Sequence, residues 1–402
     1  MSEAIATTAG ERQTLHPVLD RIQVPALIAG LAGCALLLVG FFVSGEQFFR
    51  SYLVAYLYWL GIPLGCFGLL MVQYLTGGAW GLAIRRLLES GTRMIPLMVL
   101  LFAPIALGVG KIYVWADHDS HVNLHGKEAY LNVTSWMIRA AICFLIWTVG
   151  AFILNYWSTA QDRTADPALL LRLQYVSGPG LLLFFLTVTF ATVDWVMSID
   201  PHWYSTIYSL IFITGFGLAT LAMCILLLAL LSRRPPLSYV ITRDHFHDLG
   251  NLMMASTMLW AYMSFSQFLI MWSGNIPEEL TYYSIRMDGF QKFVGLCLVV
   301  FHFLIPFPLM LNRKNKRSLR WLGGIALLIL VMRIVDLYWI VMPTFYQAHQ
   351  FSSDARPTLH WLDLVAPVAI GGIWVFVFIW QLRRRPLLPL HDPRLGELEA
   401  GH

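Results

Sequence analysis

The sequence is poor in charged side chains. Asp, Glu, Lys and Arg together make up 12% of its 402 residues, whereas 58% are hydrophobic. A water-soluble domain needs about a quarter of its residues charged to cover its surface, but a bilayer favours an apolar exterior as well as an apolar core. This composition therefore excludes a soluble protein of this length and predicts an integral membrane protein.

Cysteine is scarce and never clustered. No CxxC or CxxCH motif occurs, and the five cysteines fall one per predicted span: Cys34, Cys66, Cys143, Cys224 and Cys297. Covalent c-type haem requires CxxCH, and iron–sulfur clusters require several clustered thiolates. We therefore interpret the cysteines as packing residues and expect neither group on this chain.

Histidine is almost absent from membrane depth. Of twelve histidines, His302 alone lies clearly inside a predicted span. A b-type haem held between helices needs two facing intramembrane histidines, so one is not enough. The loop residues His118, His121 and His125 suggest a metal, but solvated loop histidines are the favoured interpretation. The sequence thus predicts no metal and no cofactor bound by this chain.

Long apolar segments are abundant. A helix rises about 1.5 Å per residue, so about 20 apolar residues cross roughly 30 Å of hydrocarbon. Ten segments satisfy this requirement, and we predict an all-α integral membrane protein with about ten transmembrane helices. The predicted spans are residues 22–44, 52–75, 94–115, 131–156, 175–199, 203–231, 249–272, 290–311, 321–342 and 361–382.

Lys and Arg are distributed unevenly between alternate loops. One side carries most of them, and the other side carries only Arg50, Lys127, Arg286 and Arg356. Positive charge is retained in the cytoplasm, so we predict both termini there and an even number of spans in a bacterial inner membrane. The first 21 residues are polar and no cleavage site follows, which favours a retained first helix. The net charge of +4 results from this topology and gives no support to nucleic-acid binding.

The loops between the predicted spans are short. They leave no room for a soluble domain, so any redox chemistry must lie in partner proteins. After the second span, residues 82–88 (LAIRRLL) are predicted to form an amphipathic connector at the cytoplasmic interface.

A weak internal repeat relates the fifth and ninth spans. Asp194 is followed by Pro201 and Asp336 by Pro343 at the same spacing, and each aspartate follows a valine. Spans two to five and six to nine are then two four-helix units of the same orientation. We therefore divide the chain into a cytoplasmic tail (1–21), a peripheral helix (22–51), two four-helix bundles (52–202 and 203–343), a peripheral last helix (344–382) and a second cytoplasmic tail (383–402).

Ionisable side chains inside the spans form the candidate functional site. Each costs at least about 2.5 kcal/mol at the bilayer centre on insertion scales, so each is a functional candidate. Arg333 and Asp336 stand three residues apart and can pair, an arrangement that suits a structural role as well as a functional one. Proton transfer through lipid requires groups of this kind, with hydroxyls and trapped water between them. The candidate proton path comprises Asp194, His302, Asp336, Arg139, Arg333 and Gln267.

Two passages resemble one family of respiratory membrane proteins. They are residues 194–206 (DWVMSIDPHWYST) and residues 264–279 (SFSQFLIMWSGNIPEE), and Gly77 to Trp80 with Arg85-Arg86 adds to the match. These passages closely resemble the F subunits of bacterial alternative complex III, a quinol:electron-acceptor oxidoreductase. The F subunits are related to the polysulfide-reductase anchor family. The resemblance runs from about residue 52 through the tenth span.

The resemblance implies two four-helix bundles with peripheral first and last helices. It also implies partner subunits: an iron–sulfur subunit, c-type cytochromes and a homologous membrane subunit with the better supported quinol site. This chain is then expected to be a cofactor-free membrane subunit of a quinol:cytochrome c oxidoreductase, without independent catalysis. It would anchor the complex in the lipid bilayer, with proton conduction or a contribution to quinone binding as further roles. The alternative is a stand-alone secondary transporter whose two bundles rock about a midplane site.

Overall fold

A computed structural model of the chain describes residues 17–117, 123–124, 126–164, 166–233, 237–348, 358–389 and 392. All regular elements in these residues are helical, so the predicted all-α class is confirmed. The α-helices are α1 (Pro17–Val43), α2 (Gly45–Thr76), α3 (Ala79–Thr92), α4 (Ile95–Leu101), α5 (Ala103–Leu107), α6 (Val109–Ile112), α7 (Val133–Thr164), α8 (Pro167–Trp195), α9 (Tyr208–Leu231), α10 (Leu237–Val240), α11 (Arg243–Gly274), α12 (Pro277–Ser284), α13 (Gly289–Cys297), α14 (Pro306–Leu311), α15 (Arg313–Lys316), α16 (Leu319–Ala348) and α17 (Trp361–Leu382). A π turn (Leu298–Leu304) joins α13 to α14, and 3-10 turns lie at Val114–Ala116, Met197–Ile199 and Ile285–Met287.

Nine helical segments within the described ranges are long and apolar enough to cross a membrane, as expected of a multi-pass membrane protein. They are Leu19–Val43, Gly45–Thr76, Ala79–Leu107, Val133–Thr164, Pro167–Ile199, Tyr208–Leu231, Gly289–Leu311, Leu319–Tyr346 and Trp361–Leu382. Each overlaps one predicted span, although the third begins well before residue 94.

The seventh predicted span is a helix but is not among these nine. α11 has 32 residues, which is enough to cross a bilayer, yet its sequence is less apolar because Ser264, Ser266 and Gln267 interrupt it. It packs along α9, touches α3 and α15 near its start, and meets α12 at its end. α11 therefore has helix neighbours at both of its ends.

The third span is broken into short helices. Pro96 and Pro104 lack backbone N–H groups, so the helix cannot continue regularly from α4 through α5. Hydroxyls from α2 satisfy two of its carbonyls: Tyr52 donates to Leu101 O over 2.7 Å and Tyr56 to Met98 O over 3.0 Å. Irregular backbone at membrane depth is thus buried against protein, where it is tolerated.

α2 lies at the centre of the molecule. It packs against α3 and α8 on one side and against α9 and α16 on the other. α9 also contacts α11 and α16, so the second group of helices assembles around it. The two groups meet along α2 and α9.

The first and last helices pack against each other at the periphery, and α17 also packs on α2. A Cβ on Gly30 would overlap backbone atoms of Gly372 and Ile373, so α1 and α17 approach as closely as glycine permits. The outer face of α1 is apolar and exposed, with Phe42 78% accessible. Such a face suits lipid contact.

The two ends of the molecule differ in character. Asp20 at the start of α1 pairs with Arg383 just after α17, and Arg385 reaches Glu89 at 3.4 Å. We call the end with Asp20, Glu89 and Arg383 the terminal end. The opposite end carries Asp194 and Tyr282. The first and last spans therefore begin and finish at the same end of the bundle.

Candidate functional site

Asp194 and Arg139 form an ion pair at the opposite end. Arg139 lies in the second turn of α7 and Asp194 in the last turn of α8. Arg139 Nε donates to Asp194 Oδ2 over 2.7 Å, and Nη2 donates to Oδ1 over 3.1 Å. The Tyr130 ring lies 3.8 Å from the guanidinium carbon. Burial, and then the charge of Asp194, raise the pKa of Tyr130, so its hydroxyl stays protonated beside the pair.

Side chains cap the end of α8. The last carbonyls of a helix have no intrahelical donor and need other partners when they are buried. Trp136 Nε1 donates to Asp194 O (2.9 Å) and Tyr113 OH to Trp195 O (3.0 Å) at the helix end. In the turns that follow, Trp115 Nε1 donates to Ser198 O (2.9 Å) and Lys127 Nζ to Pro201 O (2.8 Å). Part of the 194–206 passage thus forms a helix end that its neighbours hold in place.

A second polar cluster lies inside the other group of helices. Arg333 and Asp336 pair along one face of α16, and their side chains are 1% and 3% exposed. Trp260 of α11 donates from Nε1 to Asp336 Oδ2 over 3.3 Å. The Trp260 and His302 rings stand 4.0 Å apart. Three more predicted residues, His302, Arg333 and Asp336, are therefore brought together, with Trp260 between them.

His302 lies in the π turn. Pro306 has no N–H, so the His302 carbonyl lacks its usual donor four residues on, and Ile305 N donates instead to Val300 O over 2.9 Å. The His302 side chain is fully buried, and neither ring nitrogen has a hydrogen-bond partner within the described chain. A neutral imidazole carries one donor and one acceptor, so both can serve a small hydrogen-bonding molecule.

Gln267 lies nearer the opposite end than the His302 cluster. It stands seven residues after Trp260 on the same face of α11 and is 2% exposed. Its amide oxygen Oε1 is buried and has no hydrogen-bond partner among the described residues. Gln267 thus belongs to the second group of helices but does not contact the Arg333 and Asp336 pair.

Arg286 lies in the 3-10 turn that follows α12, and the sequence prediction did not include it among the candidate site residues. The guanidinium is fully buried, 3.5 Å from the Tyr282 ring centroid, and it donates to Trp339 O over 3.1 Å and to Ile340 O over 2.6 Å. Pro343 has no N–H to offer the Trp339 carbonyl four residues earlier, so Arg286 supplies the missing donor. The sequence signal for this contact is Pro343, because a proline inside a long helix leaves a carbonyl that needs a donor from elsewhere in the protein.

The Arg139–Asp194 and Arg333–Asp336 pairs belong to different groups of helices. Arg139 and Asp194 join α7 to α8, whereas Arg333 and Asp336 share α16. No hydrogen bond runs directly from one pair to the other among the residues described. The structure therefore has two separate intramembrane charge sites, each built around one of the repeated aspartates.

A third buried polar cluster lies at the terminal end, and the sequence prediction missed it. Residues 82–88 were predicted to form an amphipathic connector at the cytoplasmic interface, and the structure shows that residues 81–92 of α3 are buried against other helices. Glu89 accepts from Arg85 at 2.9 Å, Arg86 at 2.6 Å and Ser158 at 2.6 Å. The remaining ion pairs of the two arginines are with Asp392 and Asp162. These partners are distant in sequence, which is why charge pattern alone placed Arg85 and Arg86 in a loop.

Some predictions fall outside the described residues. They concern His118, His121 and His125, most of the N-terminal tail and nearly all of the chain after residue 389.

No protein-family model matches this chain, and comparison with curated proteins finds no match. The family resemblance therefore depends on residues 194–206 and 264–279, with Gly77 to Trp80 and Arg85-Arg86, and stays a prediction.

Proposed function

We propose that this chain is a membrane subunit of a bacterial quinol:cytochrome c oxidoreductase and that its second group of helices conducts protons. The observation that carries the proposal is the buried cluster of Arg333, Asp336, Trp260 and His302 inside a helix bundle. The resemblance of residues 194–206 and 264–279 to the F subunits of alternative complex III supports membership of such a complex.

The cost of buried charge favours a functional role for Asp336. Replacing a buried ion pair by apolar residues of similar size is often neutral or stabilising, so an anchor alone has no need of Arg333 and Asp336. A proton carrier, in contrast, requires a group that can change charge inside the bundle. Asp336 has such a carboxylate, and Arg333 offsets part of its desolvation.

His302 and Asp336 are close enough to act in one route. Trp260 touches both: its Nε1 donates to Asp336 at 3.3 Å, and its ring is 4.0 Å from His302. An imidazole can accept a proton at one nitrogen and release one from the other. Water in the polar interior would connect the imidazole to the carboxylate, and Gln267 would extend the polar lining towards the opposite end.

Partner subunits hold the redox centres in this proposal. An iron–sulfur subunit and c-type cytochromes carry electrons, and a homologous membrane subunit oxidises quinol. This chain binds no cofactor of its own beyond a quinone contact at its border with that subunit. The assembly occupies the bacterial inner membrane, with both termini of this chain in the cytoplasm.

Co-purification tests the assignment to a complex. The chain carries an affinity tag and is extracted in mild detergent, and its companions are identified by mass spectrometry and by c-type haem absorbance. We expect haem proteins and an iron–sulfur protein in constant proportion to the chain, and none with an unrelated tagged membrane protein. A chain that purifies alone and exchanges a solute in vesicles would contradict the proposal and indicate a secondary transporter.

A further inference from the structure

A cleft of about 620 Å³ opens at the terminal end between α7, the start of α4 and the end of α17. Its lining combines basic groups with apolar and aromatic ones. The residues that matter here are Arg93, Pro96, Phe152, Asn155, Tyr156 and Arg385. The volume lies in the range of small-ligand sites, and the cleft is distant from the His302 cluster.

Arg93 has no carboxylate partner in the described chain. Its Nε donates to Asn155 Oδ1 over 2.8 Å and its Nη1 to Gln381 O at 3.5 Å, while the buried Nη2 has no hydrogen-bond partner. Arg385 lies just after α17 and donates to Asn155 O over 3.2 Å. Two guanidinium groups therefore converge on Asn155.

Positive charge exceeds negative charge around this cleft. Arg385 shares Glu89 with Arg85 and Arg86, which bind that carboxylate more closely. The local charges are four arginines (Arg85, Arg86, Arg93 and Arg385) and three carboxylates (Glu89, Asp162 and Asp392). Arg163 on the rim adds a further exposed positive charge. An anion would balance the excess.

The outer wall of the cleft is apolar and faces away from the protein. Phe152 is 67% exposed and Tyr156 62% exposed, and their rings stack at 6.1 Å on the surface of α7. A free inorganic anion has no apolar part that could pack against these rings. A molecule with an anionic head and a hydrocarbon tail would match both parts of the cleft.

We propose that this cleft binds the phosphate headgroup of an anionic phospholipid. Arg93 and Arg385 donate to the phosphate oxygens, and an acyl chain runs along Phe152 and Tyr156 into the surrounding bilayer. Basic pockets between transmembrane helices bind lipid headgroups in this way. The lipid would link α7 to the end of α17, which meet at the cleft through Asn155 and Arg385.

Native mass spectrometry of the detergent-purified full chain, with any subunits that remain bound, tests this. Phosphatidylglycerol should bind in preference to phosphatidylcholine. Arg93→Gln should weaken phosphatidylglycerol binding about fivefold, which corresponds to about 1 kcal/mol for one basic side chain. Arg320→Gln removes an exposed arginine outside the cleft and should leave binding unchanged.

A second pair of variants tests the cleft without altering charge. Ala160→Trp fills the lining and should abolish the preference for phosphatidylglycerol, whereas Ala141→Trp, on the exposed face of the same helix, should not. Competition by glycerol phosphate at the same concentration as the lipid would show a site for a free anion and overturn the lipid proposal. Equal lipid binding by Arg93→Gln, Ala160→Trp and the unaltered chain would overturn it as well.

Discussion

At the scale of single residues, two buried aspartates are neutralised by arginine in different ways. Asp194 accepts two hydrogen bonds from Arg139 on a neighbouring helix, whereas Asp336 pairs with Arg333 on its own helix. Paired guanidinium and carboxylate groups satisfy each other where water is excluded. The geometry at Asp194 holds α7 against α8, and the geometry at Asp336 leaves the carboxylate free to contact Trp260.

Breaking the pair at Asp194 should be more harmful than removing it entirely. Asp194→Leu leaves Arg139 without its carboxylate and should lower stability by about 3 kcal/mol, as is typical for a broken buried pair. The double variant Arg139→Met with Asp194→Leu should regain most of this loss. Thermal unfolding in detergent, followed by tryptophan fluorescence, measures the stability of Asp194→Leu, of Arg139→Met and of the double variant. If the double variant loses the sum of the two single effects, the pair is not coupled.

At the scale of helices, irregular backbone is concentrated where prolines remove N–H donors. Pro306 accompanies the π turn that holds His302, and Pro343 leaves the Trp339 carbonyl to Arg286. Side chains from neighbouring helices satisfy the freed carbonyls, as they must where no bulk water is present. Irregular helices and the predicted polar residues therefore occupy the same regions.

The role of Arg286 can be tested through Pro343. Arg286→Met leaves the Trp339 and Ile340 carbonyls without that donor, at about 1–3 kcal/mol for each buried unsatisfied group. Pro343→Ala restores an N–H that can bond to the Trp339 carbonyl. The Arg286→Met change should therefore reduce thermal stability less in a Pro343→Ala background than in the unaltered chain. Equal losses in both backgrounds would contradict the donor role.

At the scale of the whole molecule, hydropathy predicted nearly all of the architecture because each span must be apolar along its own length. What it could not predict depends on contacts between distant segments. Arg139 on α7 pairs with Asp194 on α8, and the buried Arg85 pairs with Asp392, which lies near the end of the chain. α11 shows a different limit: Ser264, Ser266 and Gln267 lower its mean hydropathy, although the helix is long enough to cross a bilayer.

The path of α11 across the membrane can be tested with reporter fusions at four positions. Reporter fusions after Arg233 and Lys314 should report cytoplasm, and fusions after Glu128 and Asn275 should report periplasm. The first two positions lie towards the terminal end, where positive charge is concentrated, and the other two lie towards the opposite end. If Arg233 and Asn275 report the same side, α11 does not cross the membrane.

Protons moved per electron during quinol oxidation in sealed vesicles test the proposed proton path most directly. Asp336→Asn and His302→Gln should retain quinol oxidation and c-type haem content, which verify assembly, but should lower the proton-to-electron ratio by about half or more. Glu128→Gln, an exposed carboxylate at the opposite end, should leave the ratio unchanged. An unchanged ratio in both Asp336→Asn and His302→Gln, with assembly intact, would contradict the proposed proton path and leave this chain as an anchor.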